Sequence, residues 1–396
     1  MASIAIPIES VQRRMRGGSQ ALLVRTANQS VYIAKCVGNP QGTRTLINEW
    51  VVTRLLRFLE VSTPEVHPLQ LIRGIEGDDL LNFQIGNRKI PIHDGVHLGS
   101  LCPVDPERVA IFDFLPRQLL SKVVNLPDFA IAYVFDRWVG QADTRQAIFT
   151  REHSADRKAK FRAYLIDHGF SFGGSRWELS ETGLQVLYHD HSIYSGPNIE
   201  AECHAAVDRI QQLPDDVLFS DQDIPAEWFA EGDREQMACL METLGNRRAK
   251  LHESVERALR SIREAGGAIS KAPSRGLLLT ILVTVACLCQ LSTFTKPVAD
   301  VEVTAQRDVD FSEAPENRPL HVVADAYDVT ALSLTAEVVN EYGDRVWLGT
   351  AALKNERIEA SVPAIHKSGV YFFRLYGFKG ASNALSREYV LVVKEK

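Results

Sequence analysis

The chain has 396 residues, which is long for one ordinary domain, and its 45% hydrophobic and 24% charged composition is that of a globular protein with a sizeable core. The formal net charge of −6 lacks the basic surplus of general nucleic-acid binders, so no nucleic-acid partner is expected. The 6 cysteines form no CxxC pair, which is typical of unpaired thiols in a reducing compartment.

The first strands carry two features that suit phosphate binding. Gly17, Gly18 and Ser19 lie in "MRGGSQ", a turn where backbone N–H groups can approach phosphate oxygens closely. The following "ALLVRTANQSVYIAKCV" predicts a β-hairpin that turns near residues 27–29. Lys35 ends the second strand of that hairpin.

A helix is predicted next, over "TLINEWVVTRLLRFLEV", and it ends before Pro64. Glu49 lies 14 residues after Lys35 and borders the apolar stripe of this helix, beside Val52 and Leu56. Its carboxylate can therefore reach inward to the sheet and hold the lysine. For any isolated pair, a surface lysine and a solvated glutamate would be the simpler interpretation.

Two aspartates follow at the ends of apolar segments. Asp143 lies in a polar loop after "FAIAYVFDRWVGQA", and Asp167 follows the predicted strand "FRAYLI" and precedes His168 and Gly169. An aspartate at a strand end can project into a cleft and hold Mg²⁺ through its oxygens. Glycine-rich turn, strand lysine, helix glutamate, loop aspartate and strand-end aspartate is the order found in bilobal kinases.

Four segments together resemble the HipA-like kinases, a family distantly related to protein and lipid kinases. The resemblance covers about residues 10 to 260, and a domain is predicted over 1–262. The segments are "MRGGSQALLVR", "YIAKCVGNPQGTRTLINEWVVTRLLRFLEVSTPEVHPL", "FDRWVGQADTRQAIF" and "AYLIDHGFSFGG". The resemblance implies an α+β, bilobal kinase fold that uses ATP and Mg²⁺ to transfer the γ-phosphoryl group to a hydroxyl of a protein (Ser/Thr) or a small molecule.

The resemblance also implies roles for particular residues. Asp143 would be the catalytic aspartate, and Asp167 the metal-binding one. The ATP-binding residues would be Lys35, Glu49, Gly17, Gly18, Ser19 and Arg44. Among these, Lys35 would contact the phosphates, Glu49 would steady it, and Arg44 is a candidate phosphate contact.

Two departures from the family pattern bear on activity. Characterised members have a metal-binding asparagine five residues after the catalytic aspartate, where this chain has Ile148. Gln146 could substitute through its carbonyl oxygen, and Gln141 stands where relatives often have asparagine. An alternative function is therefore a pseudokinase receptor or scaffold that binds nucleotide inside the cell and a ligand through an outer domain.

A 20-residue run without a charge, Gly276–Thr295, is long enough to cross a bilayer and predicts a transmembrane helix. A buried core helix is the alternative. Basic residues dominate its upstream side, including the linker 263–275, which predicts that the N-terminal domain is cytoplasmic and the C-terminal part extracytoplasmic.

The rest of the chain predicts a stalk and a β-domain. Residues 296–318 are acidic and contain prolines, typical of a flexible stalk. Residues 319–396 alternate with period two between turn signals, which favours an immunoglobulin-like β-sandwich without a disulfide. In a third interpretation this β-domain carries the main activity by binding a surface or envelope component.

A further motif, "YHDHSIY", places His189 and His191 on one face if it is a strand. Two such histidines can bind a metal, but the sequence supplies no third ligand. A structural role is the better interpretation of this motif.

Overall fold

The computed structural model describes most of the chain, and the predicted linker 263–275 and span 276–295 lie outside the described residues. Among the described residues, no helix is both long and apolar enough to cross a membrane. The described ranges are 4–15, 17–106, 109, 111–115, 117–152, 160–179, 187–194, 196–218, 223–257, 259–260, 299–303, 312–325, 333–341, 344–354, 357–379 and 382–394.

The N-terminal lobe is a closed five-stranded barrel in the order β1-β2-β3-β7-β4, with a small hairpin formed by β5 and β6. The antiparallel pairing of β2 with β3 confirms the predicted hairpin. The strands are β1 (Ile6–Arg14), β2 (Leu22–Thr26), β3 (Val31–Lys35), β4 (Val66–Leu71), β5 (Asn82–Ile85), β6 (Arg88–Pro91) and β7 (Gly95–Leu101).

Helix α1 (Arg44–Phe58) follows β3, as the sequence predicts, and leads to β4. It is buried on most of its surface, and the buried residues include the polar Asn48 and Glu49. A buried amide and carboxylate need hydrogen-bond partners, so this helix organises polar contacts as well as apolar packing.

The second lobe combines a three-stranded sheet, in the order β10-β9-β8, with helices. The apolar segment before Asp143 is a helix, α3, which begins at Pro127 and ends at Val139, and Gly140 follows it with a φ of 67°. Proline at the first turn and a left-handed glycine after the last turn are favoured helix boundaries. The elements are β8 (Ile111–Phe112), α2 (Arg117–Leu120), α3 (Pro127–Val139), β9 (Gln146–Glu152), β10 (Lys160–Ile166), α4 (Ile199–Gln211), α5 (Asp215–Leu218) and α6 (Asp233–Ala249), followed by helical residues 251–257.

The C-terminal region differs from the predicted two-sheet sandwich, because its eight described strands form one continuous sheet in the order β11-β13-β16-β15-β14-β17-β18-β12. The edge strands β11 and β12 contact each other, so the sheet curls around its own apolar core. The strands are β11 (Ala299–Val303), β12 (Ser312–Pro315), β13 (Leu320–Asp325), β14 (Ser333–Asn340), β15 (Arg345–Lys354), β16 (Arg357–Val362), β17 (Gly369–Lys379) and β18 (Ser382–Lys394).

Strands β11 and β12 lie in the segment 296–318, which the sequence placed in a stalk. Each pairs in parallel with a longer strand, β11 with β13 and β12 with β18. Val301 is buried in the sheet core. The acidic, proline-containing composition of this segment gives no strand signal, and the hydrogen-bond partners of its two strands are distant in sequence.

The C-terminal sheet also packs against the second lobe. The rings of Phe372 and Phe112 have centroids 5.4 Å apart, and the Arg151 guanidinium lies 4.8 Å from the Phe372 ring. Lys122 forms an ion pair with Glu341 at the same contact. These contacts place the β-domain beside the sheet β8–β10.

Candidate functional site

Lys35, at the end of β3, meets two carboxylates from distant parts of the chain. Its Nζ lies 2.8 Å from Oε2 of Glu49 and 2.8 Å from Oδ1 of Asp167. Burial alone would lower the pKa of Lys35, but the two carboxylates outweigh it and raise the pKa above its usual value. The side chain therefore remains a buried ammonium ion at neutral pH.

Helix α1 holds the loop that follows β10 as well as the lysine. Glu49 Oε2 accepts a hydrogen bond from the backbone N–H of His168 at 2.9 Å. The neighbouring Asn48 places Nδ2 2.8 Å from the carbonyl oxygen of Gly169, and its Oδ1 accepts from Trp177 Nε1 at 2.7 Å. One turn of α1 thus fixes the position of Asp167 relative to Lys35.

Asp167 has a left-handed backbone, with a φ of 60°. Aspartate adopts this conformation more readily than most residues, and the cost is on the order of 1 kcal/mol or more. The side chain is 27% exposed, so one side of the carboxylate faces solvent while the other meets Lys35. A metal ion can reach a carboxylate in this position.

Asp143 lies in the loop between α3 and β9 and is partly exposed. Its Oδ1 accepts from the N–H of Thr144 at 2.8 Å. The same loop is bonded to the Asp167 loop, because Ala142 N donates to Phe170 O at 3.0 Å. The two aspartates are therefore carried by adjacent, hydrogen-bonded loops.

A second link between these loops involves Gln141. Its Oε1 accepts from Ser171 Oγ at 2.7 Å. Its Nε2 is buried and has no hydrogen-bond partner among the described residues. An unpaired buried amide is costly, and this one lies two residues before Asp143.

A buried charge network lies beneath the loops, and sequence reasoning missed it. Arg145 is paired with Asp136 of α3, and both side chains are almost completely buried, at 1% and 0% exposure. Arg145 Nη1 also lies 2.7 Å from His168 Nδ1. Arginine residues so deep in the core are rare unless paired. The pair with Asp136 joins α3 to the Asp143 loop, and the contact with His168 joins that loop to the Asp167 loop.

The contacts of His168 show which ring nitrogen carries the proton. Arg145 can only donate, so Nδ1 accepts, and Nε2–H donates to Thr63 Oγ1 at 3.0 Å. Thr63 in turn donates to Leu165 O at 2.8 Å. Burial, followed by the charges of Arg145 and Lys35, lowers the pKa of His168 well below its usual value, so the imidazole is neutral.

The register of β9 against β10 shows where Ile148, which replaces the expected asparagine, and Gln146, its possible substitute, lie relative to Asp167. Gln146 is paired with Ile166, the residue directly before Asp167, whereas Ile148 is paired with Tyr164. Residues two apart on a strand share a face. Gln146 is thus the nearer of the two to Asp167, and Ile148 points the same way one step further along.

The predicted phosphate-binding turn lies beside the loop that leads to Arg44. A Cβ on Gly18 would come within 2.7 Å of Gln41 Nε2, so the turn at Gly17–Ser19 touches the loop "GNPQGTR". Gly17 has a φ of 122°, which favours glycine there. The role of this turn in nucleotide binding stays a prediction.

Arg44 is engaged with protein groups. Its guanidinium contacts Asp233 Oδ1 at 2.6 and 3.0 Å and lies 4.4 Å from the Trp177 ring. These contacts connect the start of α1 to the start of α6. A phosphate contact by Arg44 stays a prediction and would require sharing with Asp233.

The motif at residues 188–194 is not a strand. His191 begins a 3₁₀-helix, and Asp190 accepts from Ser192 N at 2.9 Å. The alternation that would place His189 and His191 on one face therefore does not apply.

Comparisons with known proteins add little to this geometry. No protein-family model and no curated protein matches the sequence, so the HipA resemblance stays a prediction. A solved structure described as the Golgi casein kinase with Mn/ADP bound is similar at a TM-score of 0.39 and 12% identity, over 63% of this chain and 74% of that chain. A TM-score this low does not establish a shared fold. The contacts of Lys35 are independent of this similarity.

Proposed function

We propose that the first 262 residues are an ATP-dependent phosphotransferase of the bilobal kinase type. The observation that carries the proposal is the position of Lys35, whose ammonium contacts Glu49 and Asp167 at 2.8 Å each. These residues come from a barrel strand, a helix and a strand-end loop. Kinases use the same pairing of a strand lysine with a helix glutamate, next to a metal-binding aspartate.

The chain's own residues would act as follows. Lys35 offers a fixed positive charge to phosphate oxygens, and Glu49 keeps it in place. Asp143, partly exposed on its loop, would orient an acceptor hydroxyl and take its proton as the γ-phosphoryl group is transferred. Arg145 and His168 would keep the two aspartate loops in register.

The donor set near Asp167 suits Mg²⁺. Asp167 and the side-chain carbonyl of Gln146 supply oxygen atoms, which are the ligands that Mg²⁺ prefers. When bound, the ion would neutralise charge on the transferring phosphates. Ile148 stands where the family has its metal-binding asparagine, and Gln141 stands where relatives often have asparagine, and these two departures favour a single-metal or slow enzyme.

A second candidate function is a pseudokinase receptor or scaffold. The observation that favours it is Ile148, an apolar side chain at the position expected to bind a second metal. In this function the nucleotide would be bound but not turned over, and the β-domain would bind a ligand.

We also propose that Gly276–Thr295 anchors the protein in a membrane, with the kinase domain cytoplasmic and the β-domain extracytoplasmic. The support is the sequence, because 20 uncharged residues exposed to water would be costly. The packing of Phe372 on Phe112 would be absent in that arrangement, so the sides on which the two domains lie test the proposal.

The decisive experiment measures nucleotide binding and turnover on the full-length protein in detergent. Lys35→Ala should abolish binding of ATP with Mg²⁺, and Lys89→Ala, an exposed lysine on β6, is the matched control. Asp143→Asn should abolish phosphoryl transfer to a lysate acceptor, or to the protein itself, and leave ATP affinity nearly unchanged. Binding that is equal in Lys35→Ala and the wild type would exclude the proposed site. Binding without any transfer would favour the pseudokinase.

A further inference from the structure

The helical lobe carries a cluster of nitrogen and oxygen donors that shares no residue with the Lys35 site. His204 lies on α4, and His252 and Glu256 lie on the helical segment 251–257. Their ligand atoms all lie within 4.8 Å of one another. We propose that these three side chains form a site for a transition-metal ion of the Zn²⁺ class.

The geometry needs only a small contraction to bind such an ion. His204 Nε2 already lies 3.2 Å from Glu256 Oε1, and the two imidazole rings have centroids 5.4 Å apart at a 35° tilt. Bonds of about 2.0–2.1 Å in a tetrahedral site place ligand atoms about 3.4 Å apart. The side chains are partly exposed and can move by this amount without disturbing the core.

The backbone explains why two of the ligands converge. His252 and Glu256 are four residues apart on one helix, so they share a face one turn apart. His204 projects from the neighbouring helix α4, with the acidic Glu200 and Asp208 one turn on either side. This acidic surrounding favours a cation.

The types of ligand atom in this cluster indicate which metal ion it would bind. Two imidazoles and one carboxylate are the ligands of His₂Glu zinc sites, which leave a fourth position for water or another ligand. Mg²⁺ and Ca²⁺ prefer all-oxygen sites, so they should not compete. The ion would link α4 to the last described helix before residue 276, independently of the kinase proposal.

The test is calorimetric titration of untagged, chelator-treated full-length protein with Zn²⁺, together with visible absorption after Co²⁺ addition. One equivalent should bind, with Co²⁺ bands of a tetrahedral site and a higher melting temperature that EDTA reverses. His204→Ala, His252→Ala and Glu256→Gln should each weaken Zn²⁺ binding by more than about tenfold. The partial exposure of these residues makes folding of the variants expected.

Two controls separate this site from chance binding. His191→Ala removes another exposed histidine, and Cys239→Ser removes an exposed thiol of α6; both should bind Zn²⁺ normally. Absence of Zn²⁺ binding by the wild type, or unchanged stoichiometry and affinity in the variant lacking both His204 and His252, would overturn the proposal. Loss of Zn²⁺ binding with intact ATP binding would show that this site is separate from the Lys35 site.

Discussion

The guanidinium of Arg145 lies 2.7 Å from Nδ1 of His168, joining the loop that carries Asp143 to the loop that carries Asp167. The contact is possible because the imidazole is neutral and accepts the hydrogen bond. On its other side Arg145 is paired with the buried Asp136. The relative position of the two aspartates therefore depends on a charge pair inside the core.

Removing one partner of that pair should be far more harmful than removing both. Arg145→Met leaves the Asp136 carboxylate buried without compensation, and the free energy of unfolding should fall by about 3–5 kcal/mol. In the double variant Asp136→Leu/Arg145→Met no charge is stranded, so the loss should be smaller. Urea unfolding of the four proteins of this cycle measures the coupling, and additive effects would contradict it.

Glu49→Gln tests how Lys35 is held. The amide removes the ion pair but can still accept from His168 N, so the fold should be retained. With Asp167 as its remaining carboxylate partner in this contact, Lys35 should be less well positioned. We expect kcat/KM for ATP-dependent transfer to fall roughly 10- to 100-fold. Glu76→Gln, an exposed change in the same lobe, is the control. Activity equal to wild type in Glu49→Gln would show that Lys35 needs no such support.

Sequence patterns predicted the elements whose signals are local. The hairpin β2–β3, the helix α1 and the strand β10 each show their own periodicity, and the positions of Lys35, Glu49 and Asp167 follow from them. Helix α3 was not recognised as a helix, because it is buried nearly all round and shows no polar stripe.

Long-range features were beyond such patterns. The partnership of Asp136, Arg145 and His168 depends on two loops meeting in space, and no spacing along the chain signals it. The same holds for β11 and β12, whose parallel partners are distant in the sequence. The eight-stranded order of the C-terminal sheet could not be deduced from alternation, which reports a strand but not its neighbour.

Gln146 and Ile148 offer a matched pair of substitutions for testing where the proposed Mg²⁺ ion binds. Both lie on one face of β9, and only Gln146 is paired with the residue next to Asp167. Gln146→Ala should raise the Mg²⁺ concentration for half-maximal turnover about tenfold, whereas Ile148→Ala should leave it unchanged. Titration of activity with Mg²⁺ measures both. An equal effect of the two substitutions would exclude Gln146 as the ligand.

The lowered pKa of His97 predicts that the folded protein loses stability in mild acid. Burial lowers the pKa of His97 to about 4, against a usual value of 6.5, and its Nδ1 accepts from Val37 N at 3.0 Å. As pH falls below 6.5 the unfolded chain takes up a proton that the folded chain refuses until about pH 4. The free energy of unfolding should therefore fall by up to about 3 kcal/mol over this interval.

The check compares wild type with His97→Asn, whose side-chain oxygen can still accept from Val37 N. The variant should be less stable at pH 7 but should lose less stability between pH 6.5 and 4. His168 also has a lowered pKa, and since it is present in both proteins, the difference between the two curves isolates His97. Parallel curves would contradict the assignment.

The location of the β-domain can be decided by a single introduced thiol. The β-domain sequence 319–396 has no cysteine, and Val346 on β15 is 47% exposed, so Val346→Cys adds a unique reactive group there. Cys239 of α6 is an exposed thiol in the helical lobe and serves as an internal control. If Gly276–Thr295 crosses the membrane, a membrane-impermeant maleimide should label Val346→Cys on intact cells, and Cys239 only after lysis. Labelling of both thiols only after lysis would place the two domains on one side, as the contact between Phe372 and Phe112 requires, and would exclude the proposed span.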